Sequence, residues 1–143
     1  MPLMSPQKAT LNQLSVLVRD MKASVEFYRR LGLDIPDSGS IWDDHHRPAG
    51  SIDALDLEFD STRFAEKWAG RGGAGFVLGF NVTTRDAVDE LYDDMIAAGH
   101  KGHRPPHDAF WGARYAIMED PDGNLVGLMS PIDDAHRSRA PKP

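Results

Sequence analysis

Leu14-Ser15-Val16-Leu17-Val18 is the most informative segment for the fold, because the chain repeats its pattern as Leu78-Gly79-Phe80-Asn81-Val82. Each stretch has the apolar character of a short strand, and each is followed by a polar capping residue and an amphipathic helix. The same offset places Phe27 on Leu91 and Tyr28 on Tyr92. Such internal similarity indicates two related units, and paired units usually enclose something between them.

Composition limits the classes of function. The chain has 143 residues, a net charge of −6 and no cysteine, so we expect one domain with a sizeable core and no disulfide or thiolate metal site. The lack of cysteine fits a reducing cytoplasm, where we expect the protein to reside. The acidic excess argues against nucleic-acid binding. No apolar run approaches the roughly 20 residues of a membrane span, so we expect no membrane partner either.

Periodicity divides the chain into two tails and two modules. Residues 1–10 and 131–143 lack apolar periodicity and are predicted to be loose tails. Residues 11–130 are predicted to form a single domain. Its parts are module one at 11–60, a linker at 61–75 that holds a short helix, and module two at 76–130.

Each module reads as a strand, a helix and three further strands. In module one we predict the later strands near 33–35, 40–45 and 52–59. In module two we predict them near 100–103, 113–119 and 124–129, with Pro105-Pro106 as a turn after the first of these. Asp120-Pro121-Asp122-Gly123 is predicted to be the tight turn of a hairpin.

Two motifs together resemble a known family. They are Phe27-Tyr28 followed by Leu31-Gly32-Leu33, and Asp120-Pro121-Asp122-Gly123-Asn124 with the strand after it. In these the chain resembles the vicinal oxygen chelate superfamily, which includes glyoxalase I, extradiol dioxygenases, fosfomycin-resistance enzymes and bleomycin-binding proteins. The resemblance implies an α+β fold in which two βαβββ modules form an open half-barrel cup. It also implies a homodimer.

The resemblance further implies where family enzymes hold a divalent metal. The four positions fall on Gln13, Glu58, Val77 and Gly127, with Asp56 and Asp60 as alternatives to Glu58. Valine and glycine have no donor side chain, and a hard divalent ion generally needs more than two fixed donors. We therefore expect no metal and no cofactor, with Gln13 and Glu58 as residual candidates for a metal site.

Strand alternation then predicts what lines the cup. If Gln13 faces inward, the same parity selects Ser15, Val77, Gly79, Asn81, Tyr115, Ile117, Leu125, Gly127 and Met129. This lining is small or apolar with a few amides and hydroxyls, which is typical of a pocket for an organic molecule. The alternative is that Gly127 admits a bulky neighbouring side chain, which would leave a packed barrel without a pocket.

Aromatic and titratable side chains give further candidates. Trp42 and Trp111 are predicted to stack on a flat ligand, with ordinary packing or a dimer contact as the alternative. Tyr115 is predicted to donate a hydrogen bond to the ligand or to act as an acid. Glu119 is interpreted as a solvated carboxylate. The histidines interpreted as solvated loop residues, rather than metal ligands, are His45, His46, His100, His103 and His107.

Three functions are consistent with these patterns. The leading hypothesis is a metal-independent protein that binds a small organic molecule, planar or cationic, without transforming it; sequestration of a toxic metabolite or antibiotic is one version. The second is an enzyme, a lyase, isomerase or dioxygenase, with a rearranged metal site. The third is a dimeric structural or regulatory module without a ligand.

Overall fold

The computed structural model describes residues 9–71, 73 and 75–142. The chain divides into an N-terminal unit, residues 12–77 with 141–142, and a C-terminal unit, residues 9–11 with 78–140. Residues 1–8 of the predicted N-terminal tail, and residues 72 and 74 of the predicted linker, lie outside the described residues. Thr10 already belongs to the first strand. None of the described helices is long and apolar enough to cross a membrane.

The N-terminal unit packs helices on a three-stranded sheet. Its elements are β1 (Thr10–Val18), α1 (Met21–Arg30), β2 (His46–Ile52), β3 (Leu55–Ser61) and α2 (Thr62–Ala69). Strand β3 lies in the middle, parallel to β1 and antiparallel to β2. The predicted N-cap of α1 is confirmed, because the Asp20 carboxylate accepts a hydrogen bond from the Ala23 amide at 3.0 Å.

The apolar core of this unit lies between α1 and one face of the sheet. Val16 and Val18 of β1 point to this side, as strand parity predicts. The buried members of the cluster are Val18, Met21, Val25, Ile35, Ala49 and Phe59. Because alternate residues of a strand point to opposite faces, the even-numbered residues of β1 hold the core and the odd-numbered ones are left for the other face.

The segment after α1 departs from the predicted strands. Residues 31–40, all within the described part of the chain, form no strand, and Ile41–Asp44 is a 3-10 helix. The guanidinium of Arg29 donates from Nε to the Ile35 carbonyl at 2.8 Å, and that of Arg47 donates from Nη1 to the Pro36 carbonyl at 2.6 Å. The two arginines thus bond main-chain carbonyls that pair with another strand when a segment belongs to a sheet. The strands predicted at 33–35 and 40–45 are therefore wrong.

The strand predicted at 52–59 is confirmed in part, because β3 covers residues 55–59 of this range and continues to Ser61. A hairpin turn separates the end of β2 at Ile52 from the start of β3 at Leu55. Asp53 takes the left-handed conformation there, with φ of 53°, which aspartate tolerates better than most residues. The linking helix, in contrast, is confirmed as α2: Ser61 accepts from the Phe64 amide at its start, and Gly70 ends it with φ of 69°.

The C-terminal unit has the predicted βαβββ order. Its elements are β4 (Gly75–Asn81), α3 (Arg85–Ala97), β5 (Lys101–Asp108), β6 (Arg114–Glu119) and β7 (Leu125–Met129). The strand order is β4-β7-β6-β5, and Thr84 caps α3. The core on the helix side consists of Val82, Ala87, Val88, Tyr92, Ala116, Met118 and Leu128. Helices packed on strands in each unit make the chain an α+β protein.

Strand β5 runs through the two prolines that were predicted to form a turn. Its pairing with β6 shifts register between Gly102 and Arg104 and again between Arg104 and His107. Pro105 and Pro106 fall within the second irregularity of this terminal strand. Proline is tolerated at edge strands and bulges because no ladder hydrogen bond is lost there.

The C-terminal segment is bonded to the C-terminal unit rather than loose. Asp133 donates from its amide to the Gly112 carbonyl at 3.0 Å, and Ser138 donates from its amide to the Phe110 carbonyl at 3.0 Å. Between them, Asp134–His136 forms a short 3-10 helix. A tail without apolar periodicity is thus ordered by main-chain hydrogen bonds, which residue patterns do not reveal.

Candidate functional site

The face of the N-terminal unit opposite α1 is polar, and we call it the acidic face. It carries Gln13 and Ser15 on β1, Glu58 and Asp60 on β3, and His46 on β2. Ser15 pairs in register with Glu58, and His46 pairs with Asp60. Residues that alternate along neighbouring strands point to the same side of a sheet, so backbone geometry alone brings these five side chains together.

Gln13 and Glu58 are bonded to each other at the centre of this face. The Gln13 amide donates from Nε2 to Glu58 Oε2 at 2.6 Å and also lies 3.4 Å from the hydroxyl oxygen of Ser15, which is buried. Burial is the main cause that raises the pKa of Glu58 above 4.5, and Asp60 and Asp56 add to the rise. Glu58 is therefore a partly desolvated carboxylate whose negative charge is only partly compensated.

His46 and Asp60 form an ion pair beside Glu58. Nδ1 of His46 lies 2.5 Å from Oδ1 of Asp60, whose side chain is 6 % exposed. The hydrogen bond to Asp60 raises the pKa of His46 above 6.5, although burial opposes the rise. Because Asp60 holds Nδ1–H, it fixes the imidazole orientation and leaves Nε2 as the ring nitrogen that can face a ligand.

An aromatic pair borders His46. The ring of Trp42 meets that of Phe64 edge to face, with centroids 5.2 Å apart, and the His46 ring lies 6.4 Å from Phe64 in a similar arrangement. Phe64 is buried, whereas Trp42 is half-buried. Trp42, predicted to stack on a ligand, thus packs on Phe64 and keeps part of its ring accessible.

Arg47 fixes the segment that carries Trp42. Its guanidinium is buried and donates to the carbonyls of Asp43, at 2.8 Å, and of Pro36, at 2.6 Å. It also pairs with the Asp37 carboxylate at 2.9 Å, and together with Arg29 it holds the pKa of Asp37 below 3.8. The 3-10 helix bearing Trp42 is therefore pinned by one buried side chain of β2.

In the C-terminal unit, Tyr115 occupies the space above Gly127. A Cβ added at Gly127 would lie 2.5 Å from the Tyr115 hydroxyl oxygen and 3.0 Å from two ring carbons. The residues stand on adjacent strands, with Ile117 opposite Gly127 and Tyr115 opposite Met129. The missing side chain of Gly127 thus admits a bulky neighbour, as the alternative interpretation of this glycine expects, while the packed barrel without a pocket stays a prediction.

Trp111 packs on the same aromatic surface. Its ring meets Tyr115 with centroids 5.1 Å apart, and its indole Nε1–H donates to the Met129 sulfur at 3.2 Å. Phe110 packs edge to face against Trp111, with ring centroids 5.0 Å apart. Trp111, which was predicted to stack on a ligand, thus packs on Tyr115 and Phe110 and is half-buried.

The other predicted lining residues occupy β4, β6 and β7. Val77, Ile117 and Leu125 are buried, and Gly79 and Asn81 are half-buried. Their strand neighbours Phe80, Val82, Ala116, Met118 and Leu128 pack with α3. The parity predicted for these strands therefore holds, while their contact with a ligand stays a prediction.

The residues at the four expected metal positions do not fit the divalent metal that enzymes of the resembled family hold. Val77 and Gly127 offer no donor atom, and the two remaining positions, Gln13 and Glu58, are hydrogen-bonded to one another. A hard cation needs several fixed oxygen or nitrogen ligands. No group of three or more His, Asp or Glu side chains in the described part of the chain is arranged to hold a metal.

Most of the histidines are not solvated loop residues. His46 lies on β2 in the ion pair above, and His45 lies 3.3 Å from the Ser61 hydroxyl. His103 and His107 lie on β5; burial lowers the pKa of His107 below 6.5, and its ring packs edge-on against Tyr115 at 6.1 Å. Strand pairing, which brings these rings against partners from distant parts of the chain, is the reason that the prediction fails for them.

Glu119 is likewise not solvated. Its side chain is 10 % exposed, and it lies 3.4 Å from the Lys101 ammonium and 3.7 Å from the His103 ring. An open depression of about 340 Å³ adjoins it, lined also by His100, Asp120 and Gly123. Both cations come from β5, which the sequence placed only in part.

Sequence reasoning missed His46 as a member of the acidic face and Phe64 as its neighbour, and it named Asp60 only as an alternative to Glu58. A signal for part of it was present, because Asp56, Glu58 and Asp60 alternate with apolar residues along one strand. The pairing of His46 with Asp60 had no such signal, since it depends on the β2–β3 register.

Comparison with known proteins shows the family of this chain. Residues 10–128 match the family model of the Glyoxalase/Bleomycin resistance protein/Dioxygenase superfamily. A curated relative, the uncharacterized protein YraH of Bacillus subtilis (strain 168), is 35 % identical over 125 residues, which cover 82 % of this chain and 95 % of that protein. The chain belongs to the Glyoxalase/Bleomycin resistance protein/Dioxygenase superfamily.

Solved structures support the same fold. A protein described as an NAD-dependent benzaldehyde dehydrogenase from Legionella pneumophila matches with a TM-score of 0.64 and 19 % identity, covering 82 % of this chain and 96 % of that one. Methylmalonyl-CoA epimerase from Mycobacterium tuberculosis matches with a TM-score of 0.57 and 18 % identity, covering 94 % and 95 %. At these identities the likeness establishes the fold and not the activity.

Proposed function

We propose that this protein binds a small organic cation at the acidic face of its N-terminal unit, without a metal. The observation that carries the proposal is the hydrogen bond from Gln13 to Glu58. These are the two expected metal positions that have a ligand side chain, and they are bonded to each other. Glu58, Asp56 and Asp60 bring three carboxylates to this face, and His46 is the cation that acts on Glu58. A positively charged ligand would balance the remaining negative charge.

The surroundings of this charge support a ligand with a flat apolar part. The half-buried Trp42 packs on Phe64, which also packs on His46. Aromatic faces attract both planar rings and cations. Sequestration of a toxic metabolite or antibiotic is one biological use of such binding. It requires recognition of the ligand and no chemical step.

Titration with matched probes tests the proposal. Benzamidine is a planar cation, and benzamide is its uncharged isostere; binding of each can be followed through tryptophan fluorescence. We expect benzamidine to bind more tightly than benzamide. We expect Glu58→Gln, which keeps an acceptor for Gln13, to weaken benzamidine binding about tenfold, the effect of losing one partly screened charge. Asp134→Asn, at a surface carboxylate of the C-terminal unit, should have no effect.

Two results would contradict the proposal. Equal binding of the two probes, with no change in Glu58→Gln, would remove the role of the carboxylate. Stoichiometric zinc, iron, nickel or manganese that resists dialysis would show that the protein holds a metal through donors other than those of the family, and would favour an enzyme.

We also propose that the protein is a cytoplasmic homodimer. Two large exposed apolar side chains, Phe27 on α1 and Leu31 directly after it, support a self-contact, because apolar patches on a surface commonly mark interfaces. Light scattering coupled to size-exclusion chromatography measures the molar mass directly. A monomer at micromolar concentration would contradict this part of the proposal.

A further inference from the structure

The ion pair on the acidic face places a titrating cation beside the proposed ligand site. His46 is directly opposite Asp60 in the β2–β3 pairing, and Glu58 is two residues before Asp60 on the same side of β3. Diagonal neighbours of this kind stand about 7–8 Å apart, within reach of long side chains. The imidazole therefore carries its positive charge where a bound cation would have to approach Glu58.

We propose that an organic cation which binds beside Glu58 displaces a proton from His46, so that the ligand and the His46 proton compete for the same negative charge. The inference rests on the proposed function, since it takes the ligand to be a cation at this face. It also assigns His46 a role in selecting the ligand by its charge. It also makes the affinity of the protein depend on pH in a defined direction.

The charged groups around His46 determine whether the affinity for a cation rises or falls with pH. From β3, the carboxylates of Asp60 and Glu58 act on the imidazole; from α2 it faces the uncharged ring of Phe64. Asp43, in the 3-10 helix next to β2, is held by the amides of residues 38 and 39. The protonated ring thus neutralises the carboxylates that a cationic ligand needs, and its loss of a proton frees them.

Both titrating groups act in the same direction, but over different pH ranges. Asp60 raises the pKa of His46 above 6.5, so the ring stays charged to a higher pH than an ordinary histidine. Burial raises the pKa of Glu58 above 4.5, so this carboxylate becomes neutral at acidic pH. Affinity for a cation should therefore rise first as Glu58 ionises and again as His46 loses its proton.

Calorimetry with benzamidine on the full chain tests the inference. We expect about tenfold tighter binding at pH 8.5 than at pH 6, from removal of one partly screened positive charge. At a pH near the pKa of His46, the binding heat measured in phosphate and in Tris should differ, because binding releases a proton to the buffer. His46→Gln should abolish both the proton release and the upper step of the pH dependence.

The outcomes separate the inference from the function on which it rests. Benzamidine that binds equally at both pH values, with no buffer dependence, overturns the inference and leaves the proposed function standing. A pH dependence that persists in His46→Gln assigns it to Glu58 and overturns the inference in the same way. Absence of benzamidine binding at either pH overturns both.

A ligand-free measurement covers the case in which His46→Gln does not fold. Titration of His46 by NMR in the wild type and in Glu58→Gln reports the coupling of the two groups. We expect the pKa of His46 to fall in Glu58→Gln, because a nearby negative charge is lost. An unchanged pKa overturns the inference, since the two groups would then not share the charge of this face.

Discussion

The hydroxyl oxygen of Tyr115 lies 2.5 Å from the point where a Cβ at Gly127 would stand. The C-terminal unit thus has no side chain at this position of β7, and a tyrosine from the next strand fills the space. Tyr115 is itself buried and packs against Trp111 and His107. The position at which the resemblance implies a metal ligand is therefore occupied by aromatic packing.

Gly127→Ala should therefore destabilise the protein. The new methyl group would meet both the hydroxyl and the ring of a buried side chain, and such overpacking costs about 1–3 kcal/mol. Urea denaturation measures the loss in the free energy of unfolding. Combining Gly127→Ala with Tyr115→Phe removes the closest atom, so the double variant should lose less stability than the two single variants together. Full additivity would contradict the proposed clash.

The His46–Asp60 pair should contribute stability only at lower pH. Because Asp60 raises the pKa of His46 above 6.5 in the folded protein, folding favours the charged ring. The contribution is complete below about pH 6.5 and is lost as the pH rises through the folded-state pKa. Wild type should exceed His46→Gln by about 1 kcal/mol at pH 6, allowing for the exposed part of the ring. Denaturation at pH 6 and pH 9.5 measures this difference, and one that grows with pH would contradict the pairing.

Arg47→Ala should unfold the segment that carries Trp42. The substitution leaves the carbonyls of Pro36 and Asp43 without their buried donor and removes one of the two guanidinium partners of Asp37. We expect a loss of about 3 kcal/mol in the free energy of unfolding and faster amide exchange over residues 36–44. Arg47→Lys, which keeps the charge but not the planar fork, should fall between wild type and alanine. Unchanged exchange rates in this segment would argue against the anchoring role.

Removal of residues 132–143 should expose the loop between β5 and β6, which carries Trp111. This deletion takes away the amide donors of Asp133 and Ser138, which bond the carbonyls of Gly112 and Phe110. We expect a red shift of tryptophan emission and a lower unfolding midpoint, with a loss of about 1–3 kcal/mol. Deletion of residues 139–143 alone keeps both bonds and serves as the control. If both truncated proteins lose the same stability, the loss comes from residues 139–143 and not from the bonds of Asp133 and Ser138.

Local patterns predict those elements whose ends carry their own chemical signals. Asp20, Ser61 and Thr84 cap the three α-helices of the described residues, and each side chain accepts a hydrogen bond from the amide three residues ahead. The βαβββ order of the C-terminal unit follows in the same way from its apolar periods and its turn at Gly123. In contrast, residues 31–45 form no strand because Arg29 and Arg47 bond the carbonyls of this segment, and neither contact has a local signal.

Residue patterns were sufficient to predict the α+β class, the family and the parity of the strands, since these depend on residue spacing and on side chains close together in the chain. The absence of donor side chains at Val77 and Gly127, where the resemblance implies metal ligands, is also visible in the sequence. The contacts between distant residues required the three-dimensional structure: Tyr115 fills the space at Gly127, Gln13 bonds Glu58, and His46 pairs with Asp60. Such contacts depend on strand register and bulges, where a shift of one residue turns every side chain to the opposite face.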